Sequence, residues 1–201
     1  MIKLLVITVL SIAFVGCTST EGKESILPSH YNIQEGDIVF RCGTSLNSEV
    51  VMQADEKGDY SHVGIVVNAL GKLMVVHAVP DEPDFVGDIA TIKMDSINSF
   101  FTKAKARNGA ICRHKDSVLA KATAKYAIEL YNRHLPFDED FNASDTTKMY
   151  CTELIIFVYK KCGVRLVDSD GHKFYLPNLK YKVFLPSDIY NSKQLKLIKK
   201  F

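Results

Sequence analysis

Two runs of β-branched residues constrain this chain more than anything else in it. His62-Val63-Gly64-Ile65-Val66-Val67 and Lys72-Leu73-Met74-Val75-Val76-His77-Ala78-Val79 are separated only by Asn68, Ala69, Leu70 and Gly71. Two apolar runs joined by a short Gly-containing loop predict an antiparallel hairpin. Closed around residues 69–71, that hairpin sets His62 opposite roughly residue 78, beside His77. A slip of one residue puts the two imidazoles on the same face.

Around the hairpin the pattern is mixed. Gly36-Asp37-Ile38-Val39-Phe40 predicts a short strand opened by a turn, with further strands over 89–94 and 110–113 and a short helix over 96–101. Asp116 or Ser117 caps a helix running to about residue 132, with Leu119, Ala122, Tyr126 and Leu130 as its buried stripe. Residues 134–147 read as loop. A second helix spans 150–161, apolar on most faces and therefore central, and Gly163 is placed to end it. The tail from residue 165 reads as irregular, broken by Pro177 and Pro186. The fold class is α+β, an antiparallel sheet with helices packed on it.

The N-terminus fixes a compartment. Residues 1–3 carry a Lys, residues 4–15 are apolar, and Gly16-Cys17 follows. That is a secretory signal, shorter than the roughly 20 apolar residues of a membrane span. Phe14-Val15-Gly16-Cys17 resembles a bacterial lipobox, with Phe14 where Leu is more usual. The resemblance implies a signal peptide over 1–16, a lipid on Cys17 and a polar tether over 17–29. One domain over 30–201 would then stand outside the cytosol in the cell envelope, held at the membrane. Mature length would be 185 residues (201 − 16), enough for a single core. The net charge of +2 lacks the basic bias that nucleic-acid binding needs.

Cys42, Cys112 and Cys162 read as small buried apolar residues, although this compartment permits a bridge among them. His30, His114, His134 and His172 read as solvated, as do Lys193, Lys196, Lys199 and Lys200. Cys151 is different, because it opens the central helix. Exposed N–H groups and the positive end of the helix dipole favour an anion there, which predicts a lowered thiol pKa. The same N–H groups suit a developing oxyanion. A Cys activated by one His that is oriented by a further polar group is the logic of cysteine hydrolases. Each of these residues alone also fits a structural role. Two His and one Cys make a partial zinc set, which no second Cys or carboxylate is placed to complete.

Three stretches taken in order weigh on the choice between these. Gly36-Asp37-Ile38-Val39-Phe40, Tyr60-Ser61-His62-Val63-Gly64-Ile65-Val66 and Met149-Tyr150-Cys151-Thr152-Glu153-Leu154-Ile155 together resemble the permuted branch of the NlpC-type papain-like hydrolases, in its YiiX/YebB-like group. Leu135-Pro136-Phe137-Asp138 and Pro186-Ser187-Asp188-Ile189 belong to the same likeness. It implies a circularly permuted papain-like fold, an antiparallel sheet or partly open barrel with a central helix carrying Cys151. Cys151 would be the nucleophile, His62 the general base and His77 the orienting group. Many permuted relatives have Glu where His77 stands, while His is usual in unpermuted ones. His62 precedes Cys151, which is the permuted order. The resemblance also sets Asp37, Tyr60, Ser61, Phe137, Asp138 and Tyr150 along the substrate cleft. No metal or cofactor is expected. The expected partner is a peptide or small amino-acid-containing substrate, such as a cell-wall peptide. Two alternatives stay open: a lipid acyl hydrolase or acyltransferase, and a binding module for an amino acid or peptide that has lost turnover.

Overall fold

The strand residues near the hairpin alternate between two buried faces, and this explains why they are apolar almost throughout. A computed structural model describes residues 24–30, 32–80, 82, 87, 89–174 and 181–201. Residues 1–16, read from sequence as a signal peptide, and Cys17 lie outside the described residues. In chain order the elements are β1 (Ile38–Cys42), α1 (Leu46–Ala54), β2 (His62–Ala69), β3 (Lys72–Ala78), β4 (Ile92–Ser96), α2 (Ile97–Phe100), β5 (Asn108–His114), α3 (Ser117–Asn132), α4 (Cys151–Lys161), β6 (His172–Lys173), β7 (Lys182–Val183), α5 (Pro186–Tyr190) and β8 (Leu195–Lys200). Six strands form one antiparallel sheet in the order β4-β3-β2-β1-β5-β8. The fold is thus α+β, as the sequence pattern predicts.

One face of the sheet carries Ile38, Phe40, Val63, Ile65 and Val76, packed with Leu154, Ile155 and Val158 of α4. The other carries Val39, Val66, Val75 and Ile111, packed on Phe100 and Phe101. Strands buried on both faces lose the polar half of the usual alternation. At about 25 cal/mol per Å² of apolar surface removed from water, this double layer is the main source of stability.

Helix boundaries follow their caps. Asp116 accepts from the N–H groups of Val118 and Leu119 and starts α3. Gly163, at φ +76°, ends α4 in a conformation that side chains avoid. The buried stripe of α3 is Ala120, Thr123, Ala124, Ala127 and Leu130. Leu119, Ala122 and Tyr126 are half-buried instead, since small residues are what let α3 approach α4 and β2 closely.

Three further expectations are corrected. The tail is not irregular, because β8 pairs with β5. Its exposed Lys196 and Lys199 blunt the sheet edge, which otherwise invites pairing with another chain. His114 is buried, not solvated, and its ring meets Gln194 at 3.2 Å. Helix α1 has no counterpart in the pattern reading. Cys42 and Cys112 are buried, Cys162 is half-buried, and all are free thiols.

The β2–β3 register is Ile65↔Val76 through Ala69↔Lys72. It sits one residue from the register read off the loop. Extending it sets His77 opposite Gly64, so His62 and His77 are diagonal neighbours on one face. Gly64 allows this approach: a Cβ there would stand 2.5 Å from Val75 Cγ1 and 3.2 Å from His77 Cβ. Gly64→Ala is expected to cost about 1–3 kcal/mol by overpacking. A thermal melt reads this as a fall of roughly 2–4 °C per kcal/mol. An unchanged melting temperature would mean the contact is slack.

Candidate active site

The site collects at the ends of β1 and β2 and the start of α4. Arg41 pairs with His62 across β1 and β2, and paired residues share a face. The His62 ring meets His77 with Nε2 and Nδ1 2.9 Å apart. Phe100 packs on both imidazoles, at 5.7 and 5.1 Å between ring centres. The far nitrogen of His77, Nε2, lies 3.4 Å from Asp95 Oδ2. That is ion-pair range but outside hydrogen-bond geometry.

These distances favour one proton arrangement. A carboxylate only accepts, so the His77 nitrogen facing Asp95 is the one that carries hydrogen. His77 Nδ1 is then an acceptor, and His62 donates to it from Nε2. That leaves Nδ1 of His62 as its basic nitrogen.

Cys151 is the first residue of α4 and opens, with His62, into a cleft of about 850 Å³. The start of α4 is clamped on both sides. Tyr150 Oη accepts from Phe184 N–H at 3.1 Å, and Thr152 Oγ1 donates to the Phe184 carbonyl at 2.7 Å. Tyr150 N–H also points at the Glu153 carboxyl, at 3.4 Å.

The helix dipole does not set the Cys151 thiol pKa. Although the side chain still opens to the cleft, burial by the surrounding protein pushes the thiol up to about 11. The N–H groups of Val63, Thr152 and Cys151, together with Arg41, oppose this without reversing it. Burial also holds His62 well below the usual imidazole range, helped by the Arg41 charge. His77 is lowered as well, by burial first and against the pull of Asp95. Both shifts favour the uncharged forms, thiol and imidazole, over the thiolate that the helix position predicts.

Of the cleft residues expected from sequence, Ser61, Phe137 and Tyr150 line it. Ser61 Oγ accepts from Gly43 N–H at 2.8 Å. Asp37, Tyr60 and Asp138 do not line it. Asp37 is buried and takes a two-pronged bond from Arg113 at 2.7 and 2.9 Å, plus Gln34 N–H at 2.8 Å, tying the turn before β1 to β5. Tyr60 packs in the core with Phe40 and Tyr190. Asp138 accepts the N–H groups of Asp140 and Asn142, which shapes the loop ahead of Tyr150. Asp37 and Asp138 serve the scaffold through these bonds, as buried carboxylates must be bonded where they stand, and Tyr60 serves it by ring packing.

Four charged residues were missed. Arg41 is 2% exposed. It donates to the Phe100 carbonyl at 2.8 Å, lies over the Phe100 ring and pairs with Glu82. Lys105 bridges Glu82 at 2.7 Å and Asp95 at 3.2 Å. Burial pushes the Glu82 and Asp95 carboxyls up, but Arg41 and Lys105 outweigh it at Glu82, as His77 and Lys105 do at Asp95, and both are held below the usual range. A charge inside the otherwise apolar run Ile38-Val39-Phe40-Arg41-Cys42 was the available signal for Arg41.

Among the described residues no group of three or more His, Cys, Asp and Glu side chains is placed to hold a metal. His77 Nδ1 meets His62, and its Nε2 faces Asp95 without a hydrogen bond.

Comparison with known proteins bears on this arrangement. A crystal structure of the metalloprotein YiiX from Escherichia coli O157:H7 superposes with a TM-score of 0.68 at 21% identity, covering 85% of this chain and 99% of that one. It shares the fold. Among the described residues the donors found here do not make up a metal centre. No curated protein matches the chain. The model of the permuted papain-like amidases, YaeF/YiiX, C92 family, matches residues 32–199. With that match spanning the whole folded body, the chain belongs to the C92 family of permuted papain-like amidases and is a cysteine peptidase-type hydrolase.

Proposed function

We propose that Cys151 is the nucleophile of an amide hydrolysis, with His62 as general base and His77 as its orienting partner. The observation that carries this is the 2.9 Å contact between His62 Nε2 and His77 Nδ1 beside a cleft that Cys151 shares. Cys151 gives its proton to His62 Nδ1 as sulfur attacks the carbonyl carbon. The oxyanion develops near the N–H groups at the open first turn of α4. The C–N bond then breaks, and the amine leaves with the proton from His62. Water, deprotonated by His62, attacks the thioester and frees the acid and the thiol. Because thiol and imidazole start neutral, proton transfer accompanies attack.

The protein acts outside the cytosol, tethered through a lipid on Cys17, and its substrate is a cell-wall peptide. Support comes from the signal-like N-terminus. Lipid amides or esters are the second reading. Its support is α1, where Leu46 is 85% and Val50 is 61% exposed and Val50 reaches the cleft.

The test offers soluble cell-wall peptides and, separately, phospholipid vesicles to wild type and to His62→Ala. New amine from the peptides is expected with wild type and a loss of at least about 10²-fold with His62→Ala. Fatty acid released from vesicles, with the peptides left intact, would replace the first reading with the second. Tight peptide binding without product would make the protein a binding module.

A further inference from the structure

We infer that Asp95 is a positioning residue of this reaction, so that Asp95, His77, His62 and Cys151 act as one line of proton-holding groups. The inference rests on the catalytic reading above. Sequence resemblance points to three of these residues and is silent on the fourth.

The argument starts from the sheet. Asp95 faces Val75 in the β3–β4 register, two places along from His77, which faces Lys93. Positions two apart on neighbouring strands lie on one face within reach of a long side chain. His77 is fully buried, and its Nε2 has no hydrogen-bond partner. A buried ring N–H without an acceptor is costly, and Asp95 Oδ2, 3.4 Å away, is the carboxylate beside it. A small closing movement turns this contact into a hydrogen bond.

The consequence runs two residues further. With a carboxylate facing Nε2, His77 has one favourable neutral tautomer, and His62 Nδ1 is left bare for the Cys151 proton. With a carboxamide at position 95, the amide can donate to Nε2 instead. His77 would then carry its hydrogen on Nδ1 and donate to His62 Nε2. His62 Nδ1 would hold the remaining hydrogen and could not act as a base.

Other charges meet at Asp95. Lys105 contacts the same oxygen at 3.2 Å, Lys93 stands two residues away on β4, and Arg41 on β1 and Glu82 complete the cluster. A purely structural Asp95 would serve only to balance Lys105. The two roles differ in what they do to the imidazoles.

The experiment records the ring-nitrogen resonances of His62 and His77 in ¹⁵N-labelled wild type, Asp95→Asn and Asp95→Glu, with thermal melts for folding. In parallel, iodoacetamide alkylation of Cys151 is followed by mass of its peptide from neutral to alkaline pH. Wild type should show hydrogen on Nε2 of both rings. Asp95→Asn should lose that state and alkylate about tenfold more slowly at neutral pH, and Asp95→Glu should recover most of both. A folded Asp95→Asn with unchanged tautomers and unchanged alkylation overturns the inference. If Asp95→Asn does not fold, Lys105→Met decides, since it removes the ion pair and keeps the carboxylate. Tautomers kept there support the inference, and tautomers lost overturn it. Turnover by Cys151→Ala would sink the catalytic reading without touching the tautomer result. A dead Cys151→Ala with unchanged tautomers in Asp95→Asn would sink only this inference.

Discussion

Replacing Cys151 by alanine is expected to cut amide hydrolysis by at least about 10³-fold while the protein stays folded. Loss of a nucleophile removes the covalent route altogether, and what remains comes from binding and oxyanion contacts alone. The fold should tolerate the change, because Cys151 is only half-buried and α4 is held by Tyr150, Thr152 and the core residues Leu154, Ile155 and Val158. A melting transition near that of wild type, together with lost turnover, is the expected pair of results. Turnover retained by the alanine variant would rule out sulfur as the attacking atom.

The largest effect on stability is expected at Glu82. Arg41 is 2% exposed, and its guanidinium pairs with Glu82. Removing one partner of a buried pair strands the other charge, at a cost of about 3–5 kcal/mol. Glu82→Ala should therefore melt well below wild type, because total stability is only about 5–15 kcal/mol. The Phe100 carbonyl softens the loss by keeping one bond to Arg41. Replacing both residues by methionine should cost less than Glu82→Ala alone, since no stranded charge remains. Denaturant unfolding of the single and double variants measures this. A double variant less stable than the single one would show that the pair contributes net attraction.

Period and cap signals carried most of the architecture. The strands around His62 and His77, the start of α3 at Asp116 and the end of α4 at Gly163 were all legible, because each rests on local chemistry. What failed was non-local. Strand β8 reads as a basic tail until β5 is there to pair with it. Asp37 and Asp138 read as cleft residues because motif position says nothing about which way a side chain turns. In the fold each is consumed by nearby N–H groups, or by Arg113.

The site shows the same division. Cys151, His62 and His77 stand out in the chain because their residue types are rare and chemically pointed. Asp95 and Lys105 are ordinary charged residues, made special only by the face of β4 and the turn after α2 that bring them together. The thiol pKa failed for a related reason. A helix terminus is visible in sequence, but the burial that outweighs it is a property of the whole packed molecule.

The two-residue turn at Leu70-Gly71 is exposed, carries no Cβ contact at its glycine and touches nothing in the cleft. It nonetheless governs the chemistry by parity. His62 and His77 meet only because the number of residues between them brings both to one side of the sheet. A single-residue change taken up as a slip of β3 against β2, and not as a longer or shorter loop, would carry His77 to the opposite side and leave His62 without its partner. The turn touches neither histidine, yet it helps to set the register on which their meeting depends.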